Sequence, residues 1–161
     1  PAPVPKYKRL YPDGPECRLK GAYVIKCTGY ETDAAGNVTA ILAEYDPDSR
    51  GGDPADGRKV KGATIHWVDA ETAVDAQVRL YDNLFADENP DGGDKDFLDC
   101  LNPGSLEVLE GCKLEASLAN AQPSDRFQFL RLGYFCADSK DSKPGHLVFN
   151  RSVSLKDSFK K

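Results

Sequence analysis

The sequence predicts an all-β protein, built as small β-barrels or a sandwich in two compact lobes that share strands. Three observations carry that expectation. Apolar residues alternate with period two through most patterned segments, and almost no stretch repeats at helical spacing. Turn signals rich in Gly, Pro, Asp and Asn recur roughly every ten residues. Two loops of that composition, 46–57 and 89–95, flank one strongly patterned stretch, Arg58 to Phe85, which suggests a lobe on each side. No internal repeat is visible.

The elements follow in order. The chain opens Pro-Ala-Pro-Val-Pro without a Met, as a cut end or a linker tail would, so a fragment of a longer protein is expected. Lys6 to Asp13 is basic and polar, and Tyr11-Pro-Asp-Gly-Pro15 signals a turn. Glu16 to Thr28 reads as one strand, with Cys17, Leu19, Gly21, Tyr23 and Ile25 on one face and Arg18 and Lys20 side by side on the other. Asp33-Ala-Ala-Gly-Asn37 is a hairpin connection in which Gly and Asn supply positive φ, and Val38 to Tyr45 returns as the partner strand. In the loop from Asp46 to Gly57, the segment Gly52 to Lys59 has two spaced glycines and a Lys. A phosphate-binding loop needs Gly-Lys-Ser/Thr and a following helix, whereas here Arg-Lys-Val and a strand follow.

The patterned stretch holds two strands. Ala63, Ile65 and Trp67 fall on one face of the first and Thr64 and His66 on the other; Val78, Leu80 and Leu84 resume the alternation after the connector Asp69 to Gln77. Arg58, Lys59 and Lys61 lead into the chain's only Trp. Asp96 to Leu101 is expected to make one helical turn, stopped by Asn102-Pro103. Leu106 to Glu110 and Gly111 to Ala119 read as two strands, and Ser124-Asp125 as a turn. Arg126 to Cys136 reads as one long strand with Phe127, Phe129, Arg131, Gly133 and Phe135 on one face, and Leu147 to Leu155 as the last.

Composition narrows the function. No apolar run approaches the roughly eighteen residues needed to cross a bilayer, and no signal-peptide pattern opens the chain, so a cytoplasmic protein without membrane contact is expected. Five Cys, an odd number without Cys-x-x-Cys spacing, fit buried reduced thiols better than a disulfide framework or a zinc site, and His66 and His146 match no zinc pattern. The net charge of −5 is unevenly spread. Residues 1–28 and 139–161 each hold six Lys or Arg against two acids, while 29–138 hold nine against twenty-two. Basic ends on an acidic body can share one surface for an anionic partner.

No catalytic constellation is present. The nucleophile elbow, the HExxH helix and a Cys/His pairing are all missing, and Asp53 and Asp56 read as a solvated turn rather than an acid–base pair. Neither a catalytic residue nor a metal or cofactor site is expected in this chain. Binding fares better. Lys8 and Arg9 sit beside Tyr7, Arg18 and Lys20 alternate on one segment, and Gln128 and Arg131 flank an aromatic run. Arg presents a planar fork of donors, Gln a donor and an acceptor together, and Tyr or Phe can stack on unpaired bases. An ordinary outward strand position is the plain alternative for Gln128.

Seven collinear blocks resemble glutaminyl-tRNA synthetases: Lys6-Tyr-Lys-Arg-Leu10, Arg18-Leu-Lys-Gly-Ala-Tyr-Val-Ile-Lys26, Asp53-Pro-Ala-Asp-Gly-Arg-Lys-Val-Lys-Gly62, Ile65-His-Trp-Val68, Arg79-Leu-Tyr-Asp-Asn-Leu-Phe85, Phe127-Gln-Phe-Leu-Arg-Leu-Gly-Tyr-Phe135 and Val148-Phe-Asn-Arg151. Ser154-Leu-Lys-Asp-Ser-Phe159 resembles the family's C-terminal end. The resemblance implies that residues 1–161 are an anticodon-binding region of two β-barrels, lacking the start of the first barrel and an arginine the family uses there. A class I catalytic domain, absent here, would use ATP to attach glutamine to its tRNA. It also implies a monomer whose partner is the anticodon loop of a glutamine-accepting tRNA. The implied contacts fall on Lys6, Tyr7, Lys8, Arg9, Arg18, Lys20, Gln128, Arg131 and Lys156. This chain has Lys at 6 where the family carries Gln, and Lys at 20 and 156 where it carries Arg, which keeps the charge at those two positions and loses the bidentate fork. Two other readings fit related barrels: a eukaryotic-type glutamyl-tRNA synthetase, or a stand-alone RNA-binding module akin to a ribosomal protein that binds 5S RNA.

Overall fold

The computed structural model describes residues 7–155 and is all-β, apart from three short 3-10 turns. Two units divide the chain, residues 1–67 and 68–161, and each has its own sheet. Lys6 and Lys156 lie outside the described residues.

The first sheet contains β1 (Cys17–Leu19), β2 (Val24–Thr32), β3 (Val38–Asp46) and β4 (Thr64–Ile65), in the order β3-β2-β1-β4, with β4 parallel to β1 and the other pairs antiparallel. The single strand expected over 16–28 is thus a hairpin. Gly21 takes φ 72°, a left-handed conformation open to glycine at no steric cost, and the Leu19 carbonyl accepts from Ala22 N at 3.0 Å to close the turn. Arg18 and Lys20 therefore do not share a strand face: Arg18 lies in β1, paired with Val24, and Lys20 opens the turn. The connection at 33–37 forms where expected, with the Asp33 carboxylate accepting from Ala35 N and Asn37 N, but only Gly36 takes positive φ and Asn37, expected to share it, does not.

This unit's core is small. Cys17, Val24, Ile25 and Cys27 are buried, as are Pro54 and Ser49 of the following loop. The Ser49 hydroxyl accepts from Val24 N at 2.8 Å and donates to Asp46 O at 2.7 Å, so the loop is stitched to the first residue of β2.

The second sheet holds β5 (Val74–Tyr81), β6 (Leu106–Leu114), β7 (Arg126–Phe129), β8 (Gly133–Ala137) and β9 (Leu147–Ser154), ordered β6-β5-β9-β8-β7 with β5 parallel to β9. Val74, Ala76, Val78 and Leu80 face its core with Phe127, Phe129, Phe135, Leu147 and Phe149. Phe149 is fully buried and meets the rings of Phe129 and Phe127 at 5.4 and 5.9 Å. Burying such a ring contributes about 1.5–3 kcal/mol. The alternation does not reach Leu84, which lies beyond β5 and is exposed.

Three other expectations are corrected here. Leu106 to Ala119 makes one strand, not two: Gly111, at φ 63°, carries the chain through a bulge where Ala76 pairs with Cys112 but Val78 with Leu109, and Ala116–Asn120 is a 3-10 turn. Residues 126–136 form the β7–β8 hairpin rather than one strand, turning at Leu130–Leu132 with Arg131 at φ 65°. Among the described residues no strand serves both sheets, which is the third correction; the pairing gives two separate sheets, one of four strands and one of five. The patterned stretch is cut where Asp69 caps a turn, accepting from Glu71 N and Thr72 Oγ1 while its carbonyl accepts from Ala73 N. Its first strand joins one sheet and its second the other. The single helical turn expected at 96–101 is present as Phe97–Cys100, capped by Asp96.

Candidate nucleic-acid interface

In the first unit the candidate residues hang on the backbone of 63–67. Ala63 N donates to Lys8 O at 2.7 Å, and Ala63 O accepts from Arg18 N at 3.1 Å. Lys20 N donates to Ile65 O at 2.9 Å, and Trp67 Nε1 donates to Lys20 O at 3.0 Å. The backbone of residues 63 and 65 thus holds the main chain of Lys8, Arg18 and Lys20. Cys17 adds a second tie, its thiol donating to Lys8 O at 3.2 Å, and burial pushes that thiol above its ordinary pKa so that it stays a donor. Lys8, Arg9 and Lys20 are exposed; Tyr7, 40% exposed, lies against Tyr11 with ring centres 5.8 Å apart. This is a basic surface with aromatic rings beside it, able to meet phosphates and stack on bases.

Arg18 is engaged. Its Nη2 pairs with Asp53 Oδ1 at 2.6 Å and its Nη1 donates to the Gly52 carbonyl. Arg58, the first cation of the basic run, is a tie of the fold rather than part of the surface. Its guanidinium reaches Glu16, Asp46 and Asp56 at 2.6–3.1 Å, and these hydrogen bonds hold its pKa above the ordinary guanidinium range. Asp53 and Asp56, expected as a solvated turn, are each paired to an arginine.

In the second unit Gln128 is exposed on β7 and Arg131 on the β7–β8 turn, so they occupy one hairpin without flanking one strand. The sequence reading missed a neighbour. Tyr134 of β8 is directly opposite Gln128, on the same face, and is 48% exposed. An amide beside an open ring suits a base, which offers a hydrogen-bonding edge and a π-face. The signal was the Gln-to-Tyr spacing across a hairpin, legible only once the turn is known.

All five cysteines are free; Cys17 and Cys27 are buried, while Cys100, Cys112 and Cys136 are half-buried. Among the described residues no group of His, Cys, Asp and Glu could hold a metal, and no helix is long and apolar enough to cross a membrane. The interface offers hydrogen bonds, charge and stacking.

Comparison with known proteins matches residues 64–138 to the family "tRNA synthetases class I (E and Q), anti-codon binding domain". The glutamine–tRNA ligase of Pseudomonas putida is 56% identical over 159 residues, 98% of this chain and 28% of the relative. That of Cupriavidus taiwanensis is 58% identical over 160 residues, 99% of this chain and 27% of the relative. That of Polynucleobacter asymbioticus is 51% identical over 164 residues, 98% of this chain and 28% of the relative. The chain therefore spans a little over a quarter of the length of these relatives. As the sequence blocks implied, residues 64–138 match the class I (E and Q) anticodon-binding domain family, and nearly the whole chain is similar to part of the glutamine–tRNA ligases.

Proposed function

We propose that this chain reads the anticodon loop of a glutamine-accepting tRNA as the binding region of a glutamine–tRNA ligase. The observation that carries the proposal is the likeness of nearly the whole chain to glutamine–tRNA ligases, with the anticodon-binding family match inside it. In this reading the attachment of glutamine, with ATP consumed, belongs to a part of the protein beyond these residues, and this chain supplies affinity and choice of tRNA. The two sheets are walls of two small β-barrels, and the protein works as a monomer in the cytoplasm.

Each unit brings its own contacts. Lys8 and Arg9 with Tyr7, and Arg18 with Lys20, serve the first; Gln128 and Arg131 serve the second; Lys6 and Lys156 extend the set. Gln128 carries the sharpest chemistry. It is neutral and gains nothing from phosphate charge, so its worth lies in hydrogen bonds to a base edge. Gln128→Ala is expected to cost about 1–3 kcal/mol against the cognate anticodon stem-loop and little against a loop changed at the base it reads. Titrating stem-loops with one base replaced at a time checks this. Equal weakening of every loop would return Gln128 to an ordinary strand position.

A further inference from the structure

We propose that Asp53 is a positioning residue for RNA recognition: it fixes the Arg18 guanidinium so that the pair meets a base edge and not a phosphate. The inference rests on the reading that Arg18 contacts RNA. Arg18 is anchored at two points on one loop, by the Asp53 carboxylate at 2.6 Å and by the Gly52 carbonyl. That loop is itself well tied. Gly51 N donates to Ala22 O at 2.7 Å, inside the turn that carries Lys20, and the Ser49 hydroxyl accepts from Val24 N. Pro54, next to Asp53, is buried, and Arg58 closes the loop onto Glu16 and Asp46. A guanidinium held this way loses little further freedom on binding.

The charge pattern indicates what it meets. The Arg18 side chain is 22% exposed and that of Asp53 87%, so the carboxylate stands outermost. A phosphate approaching Arg18 would meet that negative charge and lose most of the attraction. A base edge carries donors and acceptors side by side, and the pair answers with both: unused N–H groups of the five-donor fork, and a carboxylate oxygen open to solvent.

The test titrates anticodon stem-loops, each with one loop base replaced, against the 161-residue chain and its Asp53→Asn, Asp53→Glu and Arg18→Lys variants over a range of salt. Asp53→Asn is expected to narrow the affinity gap at one loop position by about tenfold. The thermal midpoint stays where it was. The slope of log K against log[salt] steepens by up to about one, because an unpaired Arg18 becomes available to a phosphate. Asp53→Glu, which keeps the carboxylate, restores part of the gap. Should Asp53→Asn lower the midpoint and weaken every loop alike, its role is structural and the proposal is overturned. It is equally overturned if Asp53→Asn leaves the panel unchanged while Arg18→Lys flattens it, in which case Arg18 reads RNA without help and the wider reading stands. If neither variant moves the panel, Arg18 makes no base contact, and the wider reading fails in this unit along with the proposal.

Discussion

Asp138 shows how one carboxylate can make the second unit sensitive to acid. Its side chain accepts from Lys140 N at 2.9 Å, from Asp141 N at 2.8 Å and from Asn150 Nδ2 at 2.7 Å, with the Arg79 guanidinium 3.5 Å away. These bonds favour the ionised form, the Asp141 amide most, then Asn150 and Lys140, and they lower its pKa from 3.8 to about 2. The unfolded chain then binds the proton more readily than the native one. The stabilisation is fully present above the unfolded value and is lost as pH falls through the native value. Between pH 4 and pH 2 the urea midpoint of the second unit should drop, and Asp138→Asn should make that drop shallower while lowering the midpoint at neutral pH. An unaltered acid slope in the variant would assign the sensitivity to other carboxylates.

At the scale of elements the β7–β8 hairpin is the informative case, because a proposed contact residue and backbone strain meet at its turn. Arg131 sits at φ 65°, where a residue with a Cβ is disfavoured by about 1–2 kcal/mol and glycine is not. Arg131→Gly should therefore leave the thermal midpoint within a few degrees of the parent, since relief at the turn offsets glycine's added freedom in the unfolded chain. Affinity for the anticodon stem-loop should fall by about 1–3 kcal/mol. Unchanged affinity with an intact fold would remove Arg131 from the interface. A collapse of the midpoint would instead mean that its side chain holds the hairpin together. The same turn explains what the sequence hid. Leu130-Arg-Leu132 contains no Gly, Pro, Asn or Asp, so Phe127 and Phe129 ran on into Phe135 as one apolar alternation. Where turn chemistry was explicit, as at Asp33-Ala-Ala-Gly-Asn37, the connection and its second strand were legible to within a residue, although the first strand runs on to Thr32 rather than ending at Thr28. Gly111 misled in the opposite sense, since an isolated glycine can end a strand or bulge it, and only pairing with β5 decides. The chemistry of Gln128 could be read from residue type, but the engagement of Arg18 could not. Asp53 lies thirty-five positions away, and nothing local links them.

For the whole molecule, charge decides how the proposed RNA partner would be approached. The body from 29 to 138 carries twenty-two acids against nine bases, so a polyanion is repelled over most of the chain and favoured where Lys8, Arg9 and Lys20 stand exposed. Binding of the cognate anticodon stem-loop should weaken linearly in log K against log[salt], as each neutralised phosphate releases its condensed counterions. Lys8→Ala should weaken all loops alike and reduce the slope by about one, the mark of a backbone contact, whereas Gln128→Ala should leave the slope in place and act on one base only. An unrelated hairpin with the same number of phosphates should bind far more weakly, because the acidic body opposes contacts that the bases do not reward. A flat salt plot for the cognate loop would mean that the exposed lysines serve solubility and that phosphate contacts contribute nothing to recognition. A steep plot that Lys8→Ala does not change would move those contacts to other cations, leaving Lys59 and Lys61, both exposed ahead of β4, as the next substitutions to titrate.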